Sequence, residues 1–179
     1  DLKLRLADSN SAAKLDNAAI KLAETVSSDA ADLPDAEALH FITSLYPTLL
    51  AQPDRSALGA FYTPPALACR LLDQATEEGV DWRTAKVLDP AAGGGVFLIH
   101  SALRIRDALE GCEPSFVLAQ IETRMLGLEL DPAAATLAKA ALQILCADLS
   151  ARSKRAFEPN IRVRDTLEEI PEPVFDLVV

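Results

Sequence analysis

Three carboxylates and three consecutive glycines carry the chemistry open to this chain. Asp89, Glu129 and Asp165 each close a short apolar run, and Gly93, Gly94 and Gly95 follow the first of them. Pro90 cannot donate to a strand ladder, so the run ending at Asp89 must stop there. The glycines permit positive φ and let a ligand touch main chain where a Cβ would block it. A helix beginning at Val96 turns its free amides toward the same spot. If the three runs are parallel strands, their carboxyl ends line one crevice and all three acids face one ligand.

That crevice is unsuited to phosphate, which three carboxylates repel. A dinucleotide fingerprint also fails, because Leu98 stands where the third glycine belongs, and no Gly-Lys-Ser/Thr follows for a P-loop. A nucleoside with a positive or amino-bearing tail fits better. Glu129 can accept both hydroxyls of a ribose, Asp165 can accept from an exocyclic amine, and Leu130 with Thr166 and Leu167 can flank a flat base. S-adenosylmethionine meets that description.

The elements that must position these groups read as strand and helix in alternation. The first strand is expected over Lys86–Leu88, with a helix over Val96–Leu109 and a further helical piece over Ser115–Thr123. The second strand spans Met125–Leu130. Asp131 then caps a helix that opens on Pro132 and carries Leu137, Ala141, Ile144 and Leu145. A polar loop is expected from Asp148 to Asn160, a third strand marked by Ile161, Val163 and then Asp165, and a fourth at Phe175–Val179. The order implies an α/β fold, an open and mostly parallel Rossmann-like sheet with right-handed crossovers.

Upstream, Leu15, Ala19, Leu22 and Val26 have helical spacing, and so do Leu39, Ile42, Leu45 and Tyr46, with a stop expected before Pro47. These form a helical region over residues 1–55, expected to pack beside the main domain of 56–179 without contributing chemistry. Gln52–Leu58 reads as a polar connector. Thr63 is placed to cap the next helix with Pro64 at its first position, and Leu67, Ala68, Leu71, Leu72 and Ala75 follow at helical spacing.

The 179 residues are half hydrophobic and one quarter charged, with a formal net charge of −10, which argues against a broad grip on a polyanion. No apolar run is long enough to cross a bilayer, and no secretory pattern opens the chain. Cys69, Cys112 and Cys146 lack metal spacing and read as free thiols in a reducing cytoplasm. No metal site is expected. His40 and His100, each alone on an apolar helical pattern, read as structural.

Asp89-Pro90-Ala91-Ala92-Gly93-Gly94-Gly95-Val96-Phe97-Leu98 resembles the cofactor loop of amino-type DNA methyltransferases, which alkylate the exocyclic nitrogen of adenine. Phe61-Tyr62-Thr63-Pro64-Pro65 is similar to the element found upstream of that loop in type I modification subunits and fused type II restriction-modification enzymes. Gly127 to Pro132 and Arg164 to Leu167 resemble the family's second and third elements. The resemblance implies a class I S-adenosylmethionine-dependent fold. It places Thr63 and nearby backbone at the methionine carboxylate, and Asp89 with the amides around Gly93 and Gly95 at the amino acid and sulfonium end. Glu129 falls to the ribose, Leu130 to the adenine face and Asp165 to the adenine amine. Phe61, Tyr62, Pro64, Pro90, Ala91, Phe97 and Thr166 complete the implied cofactor set.

In that family the strand matching Phe175–Val179 runs into Asn-Pro-Pro-Tyr/Phe, whose Asn and aromatic hold the flipped base. No such motif occurs in this chain, and it is expected just after Val179. The chain is therefore expected to be a fragment truncated after the fourth strand, binding cofactor without methylating anything by itself. In the intact enzyme, part of a restriction-modification or related phage-defence system, DNA contacts and any specificity and restriction subunits or fused domains would involve other regions. A methyltransferase acting on RNA or on a protein glutamine, or a non-catalytic cofactor-binding module, are the alternatives. An unpaired fourth strand would also favour self-association through the sheet edge.

Overall fold

The computed structural model describes residues 17–57, 62–168 and 174–179. Three helices come first: α1 (Asn17–Ala30), α2 (Asp35–Leu49) and α3 (Gln52–Ala57). The start of the first expected helix lies outside the described residues. Pro47 does not stop α2, which continues two residues past it. A proline there forfeits one hydrogen bond in the last turn, where the helix is about to end anyway. Gln52–Ala57 is a helical turn rather than a connector, and Pro53 in its first turn has no amide bond to lose.

The sheet domain runs α4 (Pro65–Glu77), β1 (Val87–Asp89), α5 (Val96–Ala108), α6 (Pro114–Arg124), β2 (Met125–Glu129), α7 (Pro132–Leu145), α8 (Ala147–Ser153), β3 (Ile161–Val163) and β4 (Leu177–Val178). Pro64, not Thr63, is the residue that caps α4, and Pro65 takes the first helical position. No side chain caps that end, so the proline pair alone sets the chain direction. The stretch expected as a polar loop after Asp148 contains α8. Leu149 is its only buried residue in seven, too little for a helical period to show in the sequence.

The four strands lie in the order β3-β2-β1-β4, every pair parallel. The chain leaves β1 for β2 on one side and returns to β4 on the other, which opens a crevice at the carboxyl end of β1. Val87 and Met125 sit side by side, as do Gly127 and Ile161, on the face covered by the helices. Leu98, Ile99, Ile105, Leu118, Ile121 and Leu142 fill that main core. Leu88, Leu126 and Leu128 point to the other face and form a smaller cluster with Phe175. Burial on both faces explains why β1 and β2 read as apolar runs, whereas β3 and β4 at the edges are partly exposed. No single helix among the described residues is long and apolar enough to cross a membrane.

The sheet tolerates nothing at Gly127. A Cβ there would lie 2.7 Å from Leu98 Cδ1 and 3.2 Å from Ile161 Cγ1. Leu98 is 1% exposed and cannot swing away. Gly127→Ala is therefore expected to lower stability by about 1–3 kcal/mol in urea unfolding, with little change in the denaturant slope.

Candidate cofactor site

The register of the sheet decides how the acids are arranged. Asp89 is level with Gly127, so Glu129 stands two residues further along its strand. Glu129 is level with Val163, so Asp165 follows two residues beyond that level. The first step, two residues of strand, is roughly 6–7 Å and keeps side chains on one face; β3 ends at Val163, so Asp165 stands in the loop just past it. Asp89, Glu129 and Asp165 thus form a staircase rather than a cluster, and all three line one cavity of ≈ 580 Å³. Such a volume suits a small cofactor. Tyr62, Thr63, Pro90, Ala91, Gly93, Phe97, Leu130 and Thr166 also line it. Gly95 lies below, buried, as the left-handed residue that starts α5, with φ 84°. Pro64 is exposed at the start of α4, outside the lining. Phe61 lies outside the described residues.

Glu129 is the hub of the wall. Its Oε2 accepts from the Gly93 amide at 2.6 Å, and its Oε1 accepts from the Asp131 amide at 2.9 Å. Each oxygen keeps a second lone pair for a ligand. Asp165 accepts from the Leu167 amide at 2.9 Å through Oδ1, which shapes the turn after β3. The Thr166 hydroxyl donates to the Pro90 carbonyl at 2.6 Å, so it ties two loops together beside the cavity. Leu130 and Leu167 are exposed at the rim, 51% and 96%, as apolar surfaces without a partner should be where a flat ring could lie.

Asp89 is the most deeply buried of the three acids, 3% exposed, with Oδ1 accepting from the Ala91 amide at 3.2 Å. Burial pushes its pKa from 3.8 up to about 7, with Glu129 adding to the rise against the pull of the Ala91 bond. The Tyr62 hydroxyl is buried without a hydrogen-bond partner among the described residues. Desolvation first, then the charges of Glu129 and Asp131, hold that phenol well above its ordinary value. The wall thus sets a neutral donor beside the three acids.

The helical region also reaches the site. His40 lines the cavity, and burial lowers its pKa. The Tyr46 hydroxyl donates to Asp131 Oδ2 at 2.5 Å. Thr43 and Tyr62 close over the glycine loop, so that a Cβ on Gly94 would lie 2.8 Å from Thr43 Oγ1 and 2.8 Å from Tyr62 Cε2. The middle glycine is there to admit α2 and Tyr62. A three-residue spacing of His40, Thr43 and Tyr46 on one face was the available signal, masked by the apolar periodicity beside it. His100 packs inside α5, its Nδ1 3.4 Å from Cys69 Sγ, consistent with a structural role. No group of acids, histidines and cysteines among the described residues could hold a metal ion.

The model of the N-6 DNA Methylase family matches residues 38–179. The chain belongs to the N-6 DNA methylase family. The match begins inside α2, so the family's own pattern includes the helix that reaches Asp131. Nine chains of solved structures also match this N-6 DNA methylase chain. Among them, DrdV in its complex with DNA, determined by cryo-electron microscopy, aligns with a TM-score of 0.58 at 21% identity, over 78% of this chain. At that identity the likeness speaks for the fold, an open parallel sheet of the class I methyltransferase kind. The chain spans 14% of the DrdV chain's length. No curated protein matches.

The buried acid gives a pH dependence with a definite sign. Between pH 4 and 7 the folded state holds a proton on Asp89 that the unfolded chain has lost, so stability falls as pH rises through that window. The contribution is fully present below about 4 and gone above about 7. Asp89→Asn is expected to flatten this part of the stability–pH curve, read by thermal unfolding across the window.

Proposed function

We propose that this chain binds S-adenosylmethionine and forms the cofactor half of a site-specific adenine-N6 DNA methyltransferase, working in a restriction-modification or phage-defence system. The observation that carries the reading is the staircase of Asp89, Glu129 and Asp165 along one cavity. A ligand matching it must be elongated, cationic at the deep end, with a diol in the middle and an amino-bearing ring at the rim. The buried Tyr62 hydroxyl, without a partner among the described residues, supplies a donor in the wall, where a carboxylate would sit.

The bound cofactor supplies a methyl group already activated on a sulfonium, so the protein's task is to hold that carbon in line with the target amine. Asp89 would meet the positive end, and that charge would favour its ionised form. Glu129 would accept the ribose hydroxyls on its remaining lone pairs. Asp165 would accept from the adenine amine through its free oxygen, while Leu130 and Leu167 cover the ring. Thr63 and Tyr62 would close on the methionine end. The 179 residues hold no Asn-Pro-Pro or Asp-Pro-Pro triplet, so target binding and transfer are assigned to residues outside them. The chain alone is expected to bind cofactor and leave DNA unmethylated, and DNA with any specificity or restriction partner would engage other regions.

Calorimetric titration with S-adenosylhomocysteine tests the reading. Micromolar binding is expected, weakened about tenfold by Asp165→Ala, since that change deletes a hydrogen bond to a charged acceptor. No heat at several temperatures would remove the cofactor from the account. Among the described residues β4 pairs with β1 alone, and its Val178 is exposed. That edge supports self-association of the isolated chain, which sedimentation would register as a dimer or larger species.

A further inference from the structure

α2 packs against α7 and α5, and its Tyr46 hydroxyl enters a chain of polar contacts that leads to Glu129. Asp131 is 8% exposed, and its two oxygens have separate tasks. Oδ1 accepts from the Ala133 amide at 2.9 Å and caps α7, while Oδ2 accepts from the Tyr46 hydroxyl at 2.5 Å. The backbone amide of Asp131 donates to Glu129 Oε1 at 2.9 Å. The far oxygen of Glu129 is fixed by the Gly93 amide at 2.6 Å. Two buried carboxylates two residues apart repel one another and would drift apart unless each is held. The sequence neighbours hold one side of Asp131, and α2 holds the other. The bond to Asp131 keeps the Tyr46 phenol above its ordinary value, so it stays a donor at any physiological pH.

We propose that Tyr46 is a positioning residue for the cofactor's ribose: by pinning Asp131 it holds the Asp131 amide on Glu129 and fixes the angle at which Glu129 meets a vicinal diol. This rests on the cofactor reading above. It assigns the helical region a specific task, because the hydroxyl that orients the ribose acceptor comes from α2 and not from the sheet domain. A residue that only docked α2 would act on the whole cavity alike, whereas one acting through Glu129 is felt by ligands that carry the diol.

The test uses the full chain and its Tyr46→Phe variant, which keeps the ring and its packing. Each is titrated with S-adenosylhomocysteine and with the 2′,3′-dideoxy analogue, the weaker ligand being followed by competition. The variant is expected to bind S-adenosylhomocysteine about fivefold more weakly, the worth of roughly one hydrogen bond, and the dideoxy analogue as the parent does. Equal weakening toward both ligands, or unchanged binding of S-adenosylhomocysteine, would overturn the proposal. Circular dichroism of the variant reports separately on folding. A parent chain that binds neither ligand would remove the cofactor reading itself, a result distinct from loss of selectivity in the variant.

Discussion

The buried carboxylate of Glu129 accepts amide hydrogens from Gly93 on one side and Asp131 on the other, and the carboxyl edge of the sheet is arranged around those two bonds. Each joins Glu129 to a loop that would otherwise be free to move. The first draws the glycine turn after β1 toward β2. The second sets the start of α7. A third link, from Thr166 to the Pro90 carbonyl, closes the ring of loops from the β3 side. Without such ties a cavity walled by loops would collapse or open, because loops have little packing of their own to hold them.

Holding a site open in this way puts charge where water is scarce. Asp89 is the clearest case: burial raises its pKa to about 7, so in neutral solution its proton is loosely held. A cationic group beside Asp89 would favour its ionised form. Tyr62 presents the matching problem, a buried donor without an acceptor among the described residues. An unsatisfied polar group of this kind costs free energy in the free protein and returns it on binding. The same aromatic ring leans on the glycine loop, so its packing and its donor both serve one place.

The helical region is joined to this arrangement at two points. Thr43 reaches the backbone of Gly94 so closely that no side chain fits between them, and Tyr46 reaches Asp131. The triple glycine thus answers two demands. Gly93 and Gly95, with φ of 51° and 84°, turn the chain, and Gly94 leaves room for α2 and Tyr62. A division of the chain at residue 55 into a helical part and a cofactor domain describes the sequence pattern, while the site itself draws on both sides of that line.

Much of the sheet domain was legible from residue order. Asp131 before Pro132 reads as a cap, and its Oδ1 does accept from Ala133. The runs at Val87 and Met125 read as strands because both sheet faces are buried there, and Ile161-Arg162-Val163 because apolar and polar residues alternate. The α7 period is clear because its buried side is continuous. Short helices were not legible: α3 is polar throughout, and α8 buries only Leu149. Thr63 looked like a cap because of its type, but cap or not depends on where the chain enters, and Pro64 and Pro65 fix that entry.

The sequence by itself determined the family of shapes and the identity of the acids, since strand-end carboxylates beside a glycine turn are local facts about neighbouring residues. Only the tertiary structure decided their spacing. Register between β1, β2 and β3 is set by which apolar side chains pack together, and that register makes a staircase of Asp89, Glu129 and Asp165. It likewise decided that Tyr46 meets Asp131 across 85 residues of chain. No local rule encodes that contact, because it exists only once α2 has packed against α7.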